Sequence, residues 1–354
     1  MSVRNEPGLS QMMVVHGGDG VLEQLQEALL ATQLFERVLG SPSGNTVAWA
    51  TGLESSSSND SSVLVFGHFA GRAKVAWDSV ELLKGLSEHP RWGHRLSVLL
   101  GPGEEKLVRC RHRNVNDCFN DFKETDGRTV QLLTWLRQRP VITIWSNILL
   151  VHGQLSLPML DDIVMDAWKK RREIACEVPG SECGREVVDI ANSMCNLYFA
   201  SVHECFLRTR ATTSTSTKIV DSGNDAIWRD ERTKCAFRQM PPFVLQPAGR
   251  GRLLEASGLK VSEGECSDWA TAAQLLGLRA LVVASTPSRP CAEAKPVLPG
   301  PRGCSQPCIH AADAKCCEAL RLQMGPSGSG LSAQRCTWQP EARQQPALQC
   351  QDLS

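Results

Sequence analysis

Val141-Ile142-Thr143-Ile144-Trp145-Ser146-Asn147-Ile148-Leu149-Leu150-Val151-His152 is the densest apolar stretch of the chain, and its reading decides the fold. Val141, Trp145, Ile148 and Val151 recur close to every 3.6 residues, the period of a helix with one buried face. Strand alternation holds through Ile142 and Ile144 and then fails at Ser146. The spacing therefore predicts a helix, with a buried strand as the alternative for so short a run. Thr143, Ser146 and Asn147 break the run, which is too short to span a bilayer.

The flanks extend the helical reading. Leu132, Leu133 and Leu136, with Val130 and Trp135 beside them, form an apolar helix face. Pro140 ends that helix by removing a donor and restricting Arg139. Downstream, Ser156 can cap a helix with Pro158 in its first turn and Asp161 and Asp162 near the positive end of its dipole. Leu160, Val164, Ala167 and Trp168 supply its stripe, Lys169, Lys170, Arg171 and Arg172 its basic end, and Pro179 and Gly180 its stop. A further helix over 185–208 carries Val187, Ile190, Ala191, Met194, Tyr198, Val202 and Cys205 at helical spacing.

The expected fold is mainly α: a helical bundle or short helical-repeat-like block over 127–210. A small α+β N-terminal portion and a disordered C-terminal tail complete it. Residues 1–18 read as unstructured. The 1–59 segment reads as an N-terminal helix (21–39) and a flexible loop; the Ser-rich tract 55–62 is that loop. The folded body is 60–210. Within it 63–69 reads as a buried strand, 79–86 as a helix, and 95–100 with 106–111 as a hairpin. Residues 211–217 are a Ser/Thr linker, 218–284 a partly ordered region with one helix at 268–283, and 285–354 a Cys/Pro-rich tail. That tail differs in composition from the body, as a splice-specific or frame-altered end would. Its removal, from 286 onward, is then expected to leave the melting temperature unchanged.

Charge is balanced, with 38 basic and 38 acidic side chains, so no nucleic-acid or polyanion partner is indicated. Residues 1–15 lack a continuous apolar core of the secretory type, which points to a cytoplasmic or nuclear protein with no membrane span. Fifteen cysteines at this length then read as mostly reduced thiols.

Each catalytic or ligand motif is incomplete. Cys304, Cys308, His310, Cys316 and Cys317 offer zinc-type ligands, but without a pair of short-spaced knuckles, so no metal is assigned. The 325–332 stretch has the glycine spacing of a phosphate loop, yet Leu331 stands where the lysine belongs, and no cofactor site is assigned. Asp161, Asp162 and Asp166 are explained as first-turn acids. Their resemblance to the aspartate-rich helix of terpene cyclases fails because Met165 occupies the third aspartate position. Lys169 to Arg172, and Arg109, Arg111, His112 and Arg113, are basic clusters without interleaved aromatics. Cys195, His203 and Cys205 share one helix, with no sign of a reactive thiol.

Catalytic residues are thus unknown from sequence. The preferred function is a non-catalytic interaction protein, an adaptor or scaffold that presents a helical face to another protein. The alternative is an enzyme whose site assembles between 60–115 and the helical block from His68, His94, His152, Asp161 and Cys176, or a zinc-binding module in the tail.

Overall fold

Ser146 and Asn147 sit at φ 47° and 64°, and that left-handed pair folds the 141–152 stretch back on itself as a hairpin. In a computed structural model of the chain the order is β1 (Gln11–His16), α1 (Leu22–Ala31), β2 (Phe35–Val38), β3 (Thr46–Trp49), β4 (Ser61–Phe66) and α2 (Trp77–Ser87). Next come β5 (Leu96–Val98), α3 (Gly127–Arg137), β6 (Ile142–Trp145), β7 (Ile148–Val151), α4 (Ser181–Ser214) and β8 (Ala280–Val283). The last strands are β9 (Val297–Leu298), β10 (Cys308–His310), β11 (Glu318–Met324), β12 (Leu331–Gln339) and β13 (Ala347–Asp352). The structure describes residues 11–38, 46–54, 61–67, 69–70, 77–101, 103–105, 127–152, 181–214, 276–283, 297–298, 308–310, 318–325, 331–339 and 347–352.

Two mixed sheets carry the fold. The first has the order β13-β12-β11-β1-β4-β5 and the second β6-β7-β8-β10-β9. β1, β4 and β5 run parallel, while β11, β12 and β13 add antiparallel strands on the other side of β1. The inner faces meet in one cluster: Met12, Val14, Leu64, Phe66, Leu320 and Leu322 against Trp145, Ile148, Leu150, Ala280 and Val282. Helices cover the outer faces. Leu25 and Leu29 of α1, Val80 and Leu83 of α2, and Leu132 and Leu136 of α3 join a second cluster with Met13, Val15, Val63 and Val65. In that same cluster Val187, Ile190, Ala191 and Met194 of α4 join Ile142, Ile144, Leu149 and Val151. The helix-covered sides of both sheets thus form one continuous core, in which α3 also touches α4.

Asn192 fastens α4 to the edge strand. Its Oδ1 accepts from the main-chain N–H of Val141 (2.9 Å) and Ile142 (3.3 Å), and its Nδ2 donates to the Ile142 carbonyl at 2.8 Å. This covers part of an otherwise open strand edge in the manner of a backbone partner.

The mainly α expectation is overturned. The 141–152 stretch misled because both its faces are covered: residues 141–145 and 148–151 are all buried, so no alternation survives in the sequence. The N-terminus misled for the same reason. Met12, Met13, Val14 and Val15 are fully buried in β1, an interior strand, although residues 1–18 read as unstructured. The disordered-tail expectation fails too, because β11, β12 and β13 make half of the first sheet. The helix expected at 268–283 is corrected at its end: Gly277 turns at φ 63° and 280–283 is a strand between β7 and β10. β5 pairs in parallel with β4, and its expected hairpin partner, 106–111, lies outside the described residues. The first helix is shorter than expected, since Gln33 at φ 61° turns the chain into β2. The helix expected at 156–180 lies outside the described residues, whereas α3 buries Leu132, Leu133, Trp135 and Leu136, and α4 buries Val187, Ile190, Ala191, Met194 and Tyr198.

Among the described residues no helix is long and apolar enough to cross a membrane. Cys183 and Cys336 are disulfide-bonded, which corrects the reduced-thiol expectation at those two positions.

A chain ending at residue 317 lacks the strand that pairs the open side of β1, and uncovers Met12 and Val14. It is expected to lose cooperative unfolding by circular dichroism and to become insoluble. A truncated chain that melts like the full one would contradict the β1–β11 pairing.

Candidate functional site

The three parallel strands each run out into glycine at the same edge. β1 leads to Gly17 and Gly18 (φ 78°), β4 to Gly67, and β5 through Leu99 and Leu100 to Gly101. The Gly17 N–H donates to the Gly67 carbonyl at 3.3 Å, and the Leu99 N–H to Val65 at 2.9 Å. A Cβ on Gly67 would stand 2.2 Å from the Gly101 nitrogen, and one on Gly17 2.5 Å from the Phe69 nitrogen. Backbone touches backbone here, and only glycine fits.

Glu104 ties these loops together. It is fully buried in the short turn 103–105. Its Oε1 accepts from the Ala70 N–H at 2.7 Å and its Oε2 from the Gly101 N–H at 2.9 Å. Two charge-assisted bonds offset the cost of taking a carboxylate out of water. The loops after β4 and β5 are thereby held at one separation.

Two buried histidines lie near these strand ends, one from each sheet. His16 ends β1 on the face shared with Met12 and Val14, and its Nδ1 accepts from the Gly18 N–H at 3.3 Å. That bond requires an unprotonated Nδ1, so a neutral ring carries its proton on Nε2. His152 follows β7, buried, edge-on to the Phe66 ring at 6.4 Å. A Cβ on Gly101 would lie 2.9 Å from its Cδ2. Glu105 is buried next to Glu104 in sequence and acts on the α4 side electrostatically: burial first, and then its negative charge, push the Cys195 thiol well above its usual range. Cys195 is a protonated free thiol and a poor nucleophile. Imidazoles and carboxylates thus gather at the carboxyl ends of parallel strands, where open α/β sheets place ligand crevices.

Of the residues singled out from sequence, His152 lies beside Gly101, whereas His94 is exposed on the 3-10 turn Gly93–Arg95. His68, Asp161, Cys176, Asp162, Asp166, Lys169 to Arg172 and Arg109 to Arg113 lie outside the described residues. Cys308 and His310 fall on β10; Cys304, Cys316 and Cys317 lie outside. Among the described residues no group of three His, Cys, Asp or Glu side chains could hold a metal ion. The 325–332 stretch joins β11 to β12, with Met324 opposite Leu331. His203 and Cys205 are on α4, their side chains outside the described residues. His16, Glu104 and Glu105 were missed. Their signal was present: three largely apolar runs, at 12–15, 63–66 and 96–100, each followed within two residues by glycine.

No family model matches the chain, and no curated protein matches it. Among solved structures it is similar to a cold-active protein tyrosine phosphatase, with a TM-score of 0.49 and 15% identity, over 93% of this chain and 77% of that one. A likeness of that size bears on neither fold nor function.

Glu104→Gln is expected to set an amide N–H against one of the two backbone donors and to cost about 2–3 kcal/mol in urea unfolding. Gly67→Ala is expected to cost more, because backbone rather than a flexible side chain blocks the new methyl. Unchanged midpoints would show that the strand ends are not held this way.

Proposed function

We propose that the chain is a non-catalytic interaction protein, an adaptor or scaffold that presents a helical face to another protein and uses no cofactor. One observation carries the reading: Glu104 spends both carboxylate oxygens on main-chain N–H groups. The fully buried acid at the strand ends is occupied in holding loops, and the nearby thiol is protonated. The face offered is the outer side of α4. Glu182, Arg185, Asp189, Leu197 and Ala200 are exposed there at helical spacing, opposite the stripe packed on β6. Leu197 is 54% exposed and is the apolar anchor of that face. Cytoplasmic or nuclear residence remains the proposed compartment, although disulfide bonding at Cys183 and Cys336 weighs towards an oxidising one.

A second reading, an enzyme whose site assembles between residues 60–115 and the helical block, is favoured by a different observation: buried His152 stands edge-on to Phe66, and a Cβ on Gly101 would meet its ring.

Photo-crosslinking from position 197 of the full chain in cells separates the two. A defined protein adduct is expected, and Leu197→Lys should weaken binding of that protein about tenfold with melting unchanged. If position 197 yields no adduct while His152→Ala abolishes turnover of chromogenic phosphate or carboxylate esters, the enzyme reading replaces the adaptor.

A further inference from the structure

Cys336 is disulfide-bonded and fully buried in β12. Along the β12–β13 ladder its partner in register is Cys350. On the other side it faces Ala319 of β11, a strand without cysteine. Directly opposed residues of antiparallel strands have Cα atoms about 4.5 or 5.5 Å apart. A disulfide spans about 4.4–6.8 Å. An opposed pair, most easily the closer non-hydrogen-bonded type, is therefore within reach of the bond. We propose that Cys336 and Cys350 are bonded to each other, and that this cross-strand disulfide is a covalent lock on the outer edge of the six-stranded sheet.

The pair has a defined place in the fold. Register carries a row from Val98 through Val65, Val15, Ala319 and Cys336 to Cys350, one residue from each strand. Val15, Val65, Val98 and Ala319 all belong to the helix-covered core, and α1 lies against β11 and β12. Among the described residues β13 ends the sheet and pairs with β12 alone. Without the bond a one-sided ladder holds it; with the bond, its release requires reduction. Release would leave β12 as an open edge, a template for another strand. The lock thus couples the thiol–disulfide state of the surroundings to whether that edge is closed.

The chemistry balances with a glutathione couple. In oxidation the two thiols give two protons and two electrons to one glutathione disulfide, which becomes two glutathione thiols, and the Cys336–Cys350 bond forms. In reduction a glutathione thiolate attacks one sulfur and expels the other as thiolate. A second glutathione then resolves the mixed disulfide.

Trypsin cuts after Arg335 and Arg343, so the two cysteines fall on separate peptides, 336–343 and 344–354. The full chain is equilibrated with glutathione disulfide, alkylated and digested without reductant. The expected product is 336–343 joined to 344–354, two hydrogens lighter than the free pair, and split by dithiothreitol. By hydrogen exchange, residues 347–352 are expected to exchange at least about tenfold faster after reduction, while 61–66 stay slow. Cys350→Ser should leave Cys336 alkylatable once the chain is unfolded. Alkylated Cys336 and Cys350 in the oxidised chain, or Cys336 linked to any other peptide, would overturn the pairing. Equal exchange of 347–352 in both states would overturn the lock. Should the variant not fold, the peptide map of the unaltered chain decides alone.

Discussion

β1 is hydrogen-bonded along both edges, to β4 in parallel and to β11 antiparallel, and the order of the first sheet follows from that double pairing. Its side chains are used on both faces. Met12 and Val14 enter the space between the sheets, while Met13 and Val15 lie under the helices. Full burial of each such side chain contributes about 1.5–3 kcal/mol. One strand therefore links two cores, and it is satisfied only when residues near 320 return to pair with it. That return is a long loop closure, whose entropic cost grows slowly with length.

The strand ends inherit their geometry from this arrangement. Because β1, β4 and β5 are parallel, the loops after them emerge at one edge, and glycine at 17, 67 and 101 lets the three backbones touch. Glu104 then fixes the spacing through two short bonds. The same loops set Gly101 against His152 of the other sheet without any sequence proximity. Positioning and chemistry are in competition there: a carboxylate already accepting two N–H groups has less basicity to offer a substrate.

The outer helix faces a different constraint. Asn192 supplies the edge of β6 with side-chain hydrogen bonds, which pins α4 in rotation and sets which of its residues are inward. Val187, Ile190, Ala191 and Met194 are committed to the sheet, and Leu197 is left outside. At the opposite margin, β13 is held through β12 alone. The two sheets thus end differently, one covered by a helix at β6 and one by an edge strand whose opposed cysteine lies in register.

The sequence by itself determined the local elements whose burial is one-sided. The stripes of α3 and α4, the stop at Pro140 and the α2 helix follow from spacing and breakers, because one wet face leaves a readable period. It also placed His152 among the residues that could converge. Tertiary structure alone decided the rest. Residues 141–152 became a hairpin because covering both faces removes alternation, and only the positive φ of Ser146 and Asn147 separates it from a helix. The N-terminal strand, the sheet role of β11, β12 and β13, and the approach of Glu104 and His152 to Gly101 depend on pairings between residues some three hundred apart or on different sheets. No local window contains the partner that makes a buried strand stable, so those contacts exist only once the chain has folded.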